Sequence, residues 1–179
     1  MSALFRQLVV LLLPCWLAGC ALFGNGAPVE PRSPLASLGE SAARQVLAAD
    51  DWAIPPGQRV ILVAPPQVDD RLPIDAARLR ETLIRTLLAR DDGPQILAWQ
   101  PIEGTPSLAD NQRILSTRLA ASAPALKLSD RTLYPYRLTL ELTAPTAVSA
   151  DWKHHIEGAF DADALLSSVG TSATDRATP

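Results

Sequence analysis

A continuous aliphatic run, Val60-Ile61-Leu62-Val63-Ala64, lies between the turn signals Pro55-Pro56-Gly57 and Pro65-Pro66. Its length suits a β-strand, in which side chains point alternately to the two faces of a sheet. A strand that is apolar on both faces is typical of the centre of a sheet that helices cover. The run therefore predicts an α/β fold with residues 60–64 as a central strand.

Helical patterns flank this strand on both sides. Upstream, Ser37-x-x-Glu40 has the form of a capping box, and apolar residues follow at helical spacing, which predicts a helix over 38–49. Downstream, an apolar stripe predicts a helix over 75–90 that ends before Gly93-Pro94. That stripe consists of Leu79, Leu83, Ile84, Leu87 and Leu88.

The following segments predict a second strand and a third helix. Residues 95–99 have the apolar character of a short strand. Ser107-Leu108-Ala109-Asp110 is typical of a helix start, and Ile114, Leu115 and Leu119 recur at helical spacing. We therefore expect a helix that begins near residue 107 and ends between 120 and 124.

The pattern changes to a period of two in residues 133–160. Alternating apolar and polar residues predict two half-exposed strands, 136–142 and 152–160, which form an antiparallel hairpin around Ala144-Pro145-Thr146. A short helix is expected over 161–169, so the predicted α/β domain spans residues 37–169. Residues 170–179 are small and polar and are expected to be disordered.

The first 20 residues have the layout of a secretory signal. Arg6 supplies a positive charge, and Leu8 begins an apolar stretch shorter than the roughly 20 residues of a spanning helix. The stretch closes with Leu17-Ala18-Gly19-Cys20, which resembles the lipobox of bacterial lipoproteins. That resemblance implies removal of residues 1–19, a diacylglyceryl group on the Cys20 thiol and an acyl group on the new amino terminus. A plain signal peptide and a buried N-terminal helix are the alternatives.

Residues 20–36 are predicted to be the lipidated cysteine and a short tether, because Gly and Pro interrupt every possible element there. About 16 residues reach at most roughly 55 Å when extended and about 20–25 Å on average when flexible. The folded domain is therefore expected to stay near its membrane. Lipoproteins with Asp directly after the lipidated Cys tend to stay at the inner membrane, whereas Ala21 here favours the periplasmic face of the outer membrane.

Charge and cysteine content exclude several classes of function. Loss of residues 1–19 would leave 15 basic and 19 acidic residues, which argues against binding to nucleic acid and against electrostatic attachment to anionic lipid. Cys15 would leave with the signal and Cys20 would carry lipid. The mature fold would then have no thiol for a disulfide, a metal or a nucleophile. We expect no cofactor besides the acyl groups on Cys20.

Few side chains are arranged for chemistry. His154 and His155 are adjacent on a predicted strand, so they point to opposite faces and cannot hold one metal ion. Asp69-Asp70 follows the C-terminal end of the first strand, so the pair is a candidate contact for a cation or for a partner's arginine, with a plain turn as the alternative. Trp152 is a candidate anchor for a partner protein, with packing as its alternative. Because the sequence has neither a Gly-rich phosphate loop nor a G-x-S-x-G motif, we expect no enzyme activity.

A pattern of seven segments runs through residues 38–160. The segments are Leu47-Ala48-Ala49-Asp50, Gly57-x-x-Val60-Ile61-Leu62-Val63, Val68-Asp69-Asp70-Arg71, Ala76-Ala77-Arg78-Leu79-Arg80-Glu81-Thr82-Leu83, Tyr136-Arg137-Leu138-Thr139-Leu140-Glu141-Leu142, Ala150-Asp151-Trp152-Lys153 and Gly158-Ala159-Phe160. This pattern resembles the LpoB-type outer-membrane lipoproteins, which activate class A penicillin-binding proteins. The resemblance implies a domain similar to the TolB N-terminal fold, with a mixed sheet flanked by helices. It also implies a protein that docks on a peptidoglycan synthase and stimulates it without doing chemistry itself.

Two features differ from that family. Residues 123–131 are shorter than the corresponding segment of the family, and the tether lacks a long proline-rich linker. A second role is therefore open, in which the chain is an accessory lipoprotein of envelope assembly or secretion that stays beside the outer membrane. A small periplasmic hydrolase is the third alternative.

Overall fold

The computed structural model describes residues 33–49, 52, 54–90, 93–100, 109–144, 147 and 149–165. The predicted signal peptide, the lipobox with Cys20 and the predicted tail over 170–179 lie outside the described residues. Most of the predicted tether lies outside them too.

The described chain alternates helices and strands before it ends in a long hairpin. The elements are α1 (Pro34–Leu47), a 3₁₀ turn (Pro56–Gln58), β1 (Val60–Val63), β2 (Gln67–Val68), α2 (Ala76–Leu88), β3 (Gln95–Ala98), β4 (Gln112–Ala121), β5 (Leu126–Lys127), β6 (Thr132–Thr143) and β7 (Trp152–Asp161). Residues 162–165 form a helical turn. The second predicted helix, both predicted apolar strands and the predicted antiparallel hairpin are confirmed.

The seven described strands form one mixed sheet. β1 runs parallel to β3 on one side and to β4 on the other, and β6 runs antiparallel to both β4 and β7. β2 pairs with β4 just beyond β1, and β5 pairs with β6 just beyond β4. The mixed α/β architecture predicted from the sequence is therefore confirmed.

Two prolines interrupt the line formed by β1 and β2. Val63 pairs with Leu115 and Gln67 pairs with Arg118. Between these two pairs the β1–β2 segment advances four residues, while β4 advances only three. The extra residue falls at Ala64-Pro65-Pro66, where the prolines have no N–H to donate to a neighbouring strand. The line bulges there and resumes its pairing with β4 at Gln67.

The first helix begins at Pro34, four residues before its expected start, because Ser33 and not Ser37 supplies the N-cap. The Ser33 hydroxyl accepts a hydrogen bond from the Ala36 amide at 3.2 Å. Pro34 occupies the first helical position, where the missing N–H costs nothing. Residues 34–36, which were expected in the tether, are therefore helical.

Both described helices pack on one face of the sheet. Gly39 allows their close approach, because a Cβ at that position would lie 2.8 Å from Cγ2 of Thr82. The shared core contains Leu35, Leu38, Ala42, Ala43 and Val46 from α1, Leu79, Leu83 and Leu87 from α2, and Ile61, Val63, Ile96, Leu115, Leu119, Leu138, Leu140, Leu142 and Phe160 from the sheet. The opposite face, which we call the outer face, carries the alternate residues of each strand and has no described helix upon it.

The helix expected from about residue 107 is wrong, since residues 112–121 form β4. Leu115 and Leu119 do lie on one side, but they share it with Thr117 in a period of two. Thr117 is a polar residue in a buried position, so it concealed the strand pattern. Pairing with β1 on one edge and with β6 on the other determines the conformation here. Residues 107 and 108 lie outside the described residues.

Candidate functional site

The outer face of β6 and β7 carries three polar pairs in direct register. Their members oppose one another across the hairpin: Glu141 with Lys153, Thr139 with His155, and Arg137 with Glu157. The Lys153 ammonium lies 2.7 Å from the Glu141 carboxylate, the Thr139 hydroxyl lies 3.0 Å from His155 Nδ1, and an Arg137 guanidinium nitrogen lies 2.7 Å from the Glu157 carboxylate. The alternating sequence creates this row, because every second residue must turn to the helices.

The two ion pairs of this row are exposed and run in opposite senses. The Arg137 and Glu157 side chains are 56% and 62% exposed. Exposed ion pairs contribute about 0–1 kcal/mol each, so their charges exchange partners at little cost. The Arg137–Glu157 pair has its cation on β6, whereas the Glu141–Lys153 pair has its cation on β7. The four charges therefore alternate in sign around the row, and a partner surface with the complementary arrangement would meet each of them with an opposite charge.

Next to this row, a cavity of about 650 Å³ opens on the outer face. Its lining includes Gln67, Trp99, Arg118 and the Glu141–Lys153 pair. Arg118 lies on β4 opposite Thr139 and is exposed. The cavity is a polar recess with the Trp99 side chain at its border.

β7 is an edge strand of the described sheet. Among the described strands it pairs with β6 alone, over ten residues from Trp152 to Asp161. An edge strand presents N–H and C=O groups to which an extended segment of another protein can pair. This edge borders the row of polar pairs, so both features are available to one partner.

The predicted contact Asp69 is engaged within the domain. Its carboxylate accepts hydrogen bonds from the Arg71 side chain, at distances from 2.6 to 3.2 Å, from the Arg71 amide at 3.0 Å and from the Ala121 amide at 3.3 Å. The side-chain hydrogen bond from Arg71 is the main reason that the pKa of Asp69 lies well below its ordinary value of 3.8. The arrangement holds the β2 end against β4 and presents the Arg71 guanidinium, while Asp70 is exposed.

No three His, Cys, Asp or Glu side chains in the described part of the chain are grouped to hold a metal ion. The two histidines point to opposite faces, as predicted: His155 contacts Thr139 on the outer face, whereas His154 stacks on Trp152 with 5.8 Å between ring centroids. Trp152 is half-buried and packs against the core on the helix side.

The predicted contacts do not form one surface. Asp69 accepts from Ala121, which pairs with Tyr136, while Trp152 pairs with Leu142. These two points on β6 are six residues apart, a separation of about 20 Å along a strand. Asp69 and Asp70 therefore lie toward one end of the sheet and Trp152 lies toward the other.

One side chain that joins a helix to the ends of two strands was missed by sequence reasoning. Arg80 on α2 donates from Nη2 to the backbone oxygens of Val63, at 2.8 Å, and Trp99, at 2.5 Å. It thereby joins the C-terminal ends of the parallel strands β1 and β3 to the helix above them. The available signal was an arginine directly after the stripe residue Leu79, at the border between the buried and exposed sides of the helix.

Among the described residues no helix is long and apolar enough to cross a membrane.

No protein-family model matches the sequence, and no curated protein matches it either. Among solved structures, the chain is similar to the LpoB C-terminal domain from Escherichia coli, at 14% sequence identity over 71% of this chain and 98% of that chain, with a TM-score of 0.46. The LpoB C-terminal domain from Salmonella enterica is similar at 13% identity over the same shares, with a TM-score of 0.46. Lipoprotein GNA1162 from Neisseria meningitidis is similar at 12% identity over 66% of this chain and 96% of that chain, with a TM-score of 0.39.

Proposed function

We propose that this chain is an outer-membrane lipoprotein, anchored through acyl groups on Cys20, whose α/β domain binds and regulates a class A penicillin-binding protein. The order Leu17-Ala18-Gly19-Cys20 after an apolar stretch supports the anchor. The pattern of seven segments between residues 38 and 160 supports the class of partner. In this proposal the chain has no catalytic activity and acts by contact.

The observation that carries the binding role is the row of polar pairs beside the edge of β7 that pairs with no other described strand. Along each strand, successive members of the row are two residues apart, a spacing of about 7 Å. The row therefore offers two ion pairs about 14 Å apart with the Thr139–His155 pair between them, and the edge offers backbone groups for an added strand. These are the means by which a sheet recognises another protein without a pocket.

The other predicted contacts take peripheral places in this proposal. Asp69 acts through Arg71, whose exposed guanidinium it holds in position. Asp70 lies beside that group, and Trp152 borders the opposite end of β7. A partner that spans the length of the hairpin would reach both ends.

The direct test measures glycan-chain synthesis from lipid II by a purified class A penicillin-binding protein at saturating concentrations of the mature lipoprotein. We expect the wild-type protein to raise the rate and the double variant Arg137→Glu/Lys153→Glu to lose the effect. The matched control is Arg85→Glu, a charge reversal on the exposed side of α2, which should stimulate like wild type. An unchanged rate with wild-type protein would refute the proposed role. Equal stimulation by the double variant would exclude the outer face as the contact.

A second role, as an accessory of an outer-membrane assembly or secretion complex, is favoured by the length of the tether. Because α1 begins at Pro34, only the segment from Cys20 to Ser33 separates the anchor from the domain. Thirteen residues span at most about 45 Å. Crosslinking of intact cells followed by purification of the lipoprotein separates the two roles, since a penicillin-binding protein supports the first and an outer-membrane complex the second.

A further inference from the structure

A hairpin made by β5 and the start of β6 exposes two leucines side by side. Leu126 and Leu128 are each 52% exposed, and they are two residues apart on an extended segment, so they project to the same side. All residues from 122 to 131 are exposed. We call residues 122–131 the β5 tip.

The β5 tip is a firm projection. Leu126 pairs with Leu133 and Lys127 pairs with Thr132, and the Leu128 amide donates to the Arg131 carbonyl at 2.8 Å. The Arg131 guanidinium lies 2.7 Å from Asp130 and 3.6 Å from Asp161 on β7. The two leucines are therefore presented to solvent by a turn that is tied to the sheet.

The β5 tip and the start of α1 lie toward the same end of the domain. The chain that leaves the C-terminal end of α1 meets the end of the sheet where β6 finishes and β7 begins. There Ala49 and Trp52 line a small cavity with Leu142 and Trp152. α1 is 14 residues long, about 20 Å. Its N-terminal end therefore lies toward the opposite end of the sheet, where Thr132 begins β6 and the β5 tip projects.

We propose that the β5 tip places Leu126 and Leu128 in the surface of the lipid bilayer that holds the acyl anchor. This inference rests on the proposed anchor at Cys20. The segment from Cys20 to Ser33 averages only about 20 Å if flexible, so it keeps that end of the domain at the membrane. Two neighbouring aliphatic side chains suit the boundary between headgroups and acyl chains. The long side chain of Lys127, the residue between them, suits contact with lipid phosphates.

Such a contact would orient the domain. β6 and β7 would run away from the bilayer, with the Arg137–Glu157 pair nearer to it than the Glu141–Lys153 pair. The outer face would then stand upright on the membrane and be open to a partner approaching from the side. The lipid contact thus determines which part of a partner meets each end of the row.

The test compares hydrogen exchange of residues 122–131 in the chain from Cys20 onward, free in solution and coupled through the Cys20 thiol to maleimide-lipid in phosphatidylethanolamine/phosphatidylglycerol vesicles. We expect about tenfold slower exchange of the β5 tip on vesicles, and no slowing in the double variant Leu126→Ser/Leu128→Ser. The control is Leu88→Ser/Leu97→Ser, which removes leucines 56% and 50% exposed elsewhere and should keep the slowing.

Equal exchange with and without vesicles would overturn the proposal. Slow exchange in both states would overturn it too, because the β5 tip would then be covered by the chain itself. Slowing that requires an added class A penicillin-binding protein would make the β5 tip a protein contact instead. Chemical coupling makes these outcomes independent of natural acylation, which the mass of the mature N-terminus tests separately.

Discussion

Replacement of Gly158 by alanine tests the packing between the two long strands. Gly158 on β7 pairs with Tyr136 on β6, and the tyrosine ring lies across the glycine. A Cβ at position 158 would lie 2.6 Å from Oη and 2.8 Å from Cζ of Tyr136. The ring would have to move by about 1 Å to restore ordinary contact distances. It is buried and stacks on the buried ring of Phe160, with 4.2 Å between centroids, so movement disturbs the core.

The magnitude follows from two opposing effects. Overpacking of this kind costs about 1–3 kcal/mol of the free energy of unfolding. Loss of the glycine's freedom in the unfolded chain returns about 0.4–1 kcal/mol. We therefore expect Gly158→Ala to destabilise the domain by about 1.5 kcal/mol, which lowers Tm by about 5 °C for a domain of this size.

The assay is urea denaturation of the mature protein, with Gly57→Ala as the matched control. Gly57 has no atom within 4 Å of a Cβ placed on it, so its replacement should change stability by less than about 0.5 kcal/mol. In a Tyr136→Leu background the cost of Gly158→Ala should largely disappear, because the clashing ring is gone. An unaltered stability of Gly158→Ala, or an equal cost in both backgrounds, would refute the reasoning.

Three further predictions concern stability. Arg80→Gln should lower the free energy of unfolding, measured in urea, by about 2 kcal/mol, because two charge-assisted hydrogen bonds are lost. The control Arg85→Gln, at an exposed position, should cost less than about 0.5 kcal/mol. Equal losses of stability in the two variants would contradict the role of Arg80. Burial raises the pKa of Tyr136, so the contribution of its neutral hydroxyl to stability should be fully present below the ordinary pKa of 10.0 and be lost as pH rises above it. In alkaline denaturation, Tyr136→Phe should show a shallower fall of stability with pH, and an unchanged slope would count against this. Hydrogen bonds from Arg71 lower the pKa of Asp69, so the contribution of its carboxylate to stability is present above the ordinary pKa of 3.8 and is lost as pH drops below it. In acid denaturation, stability should depend less steeply on pH for Asp69→Asn and for Arg71→Gln, and the double variant should show no further change in slope. Additive changes in slope would show that the two residues have separate roles.

The parts of the fold that follow from local pattern were predictable. β1 has four apolar residues in a row, and the burial of the hairpin alternates over the first six residues of β7. The predicted stripe of α2 buries Leu79, Leu83 and Leu87, whereas its last member, Leu88, is exposed. Each of these segments satisfies its own period before any tertiary contact forms. Their agreement with the sheet explains why the mixed α/β architecture was visible in the sequence.

The remaining elements depend on partners distant in sequence. β2 and β5 are two residues long and have no period to detect. β4 carries Thr117 where the alternation calls for an apolar residue, and its strand form comes from pairing on both edges.

The same limit applies to the candidate site. Alternation predicts that Arg137 and Glu157 are polar and face one side, but only the hairpin register shows that they oppose each other. The Arg80 contact needs the ends of β1 and β3 to be neighbours, which follows from the parallel pairing of those strands.

The central claim is that the outer face of β6 and β7 binds the partner. The most direct measurement places a photoreactive amino acid at His155, in the middle of that face, and at Arg85, on the exposed side of α2, in the full chain expressed in its host. We predict that irradiation crosslinks a class A penicillin-binding protein at position 155 and not at position 85. Crosslinking of that protein at position 85 alone would contradict the account.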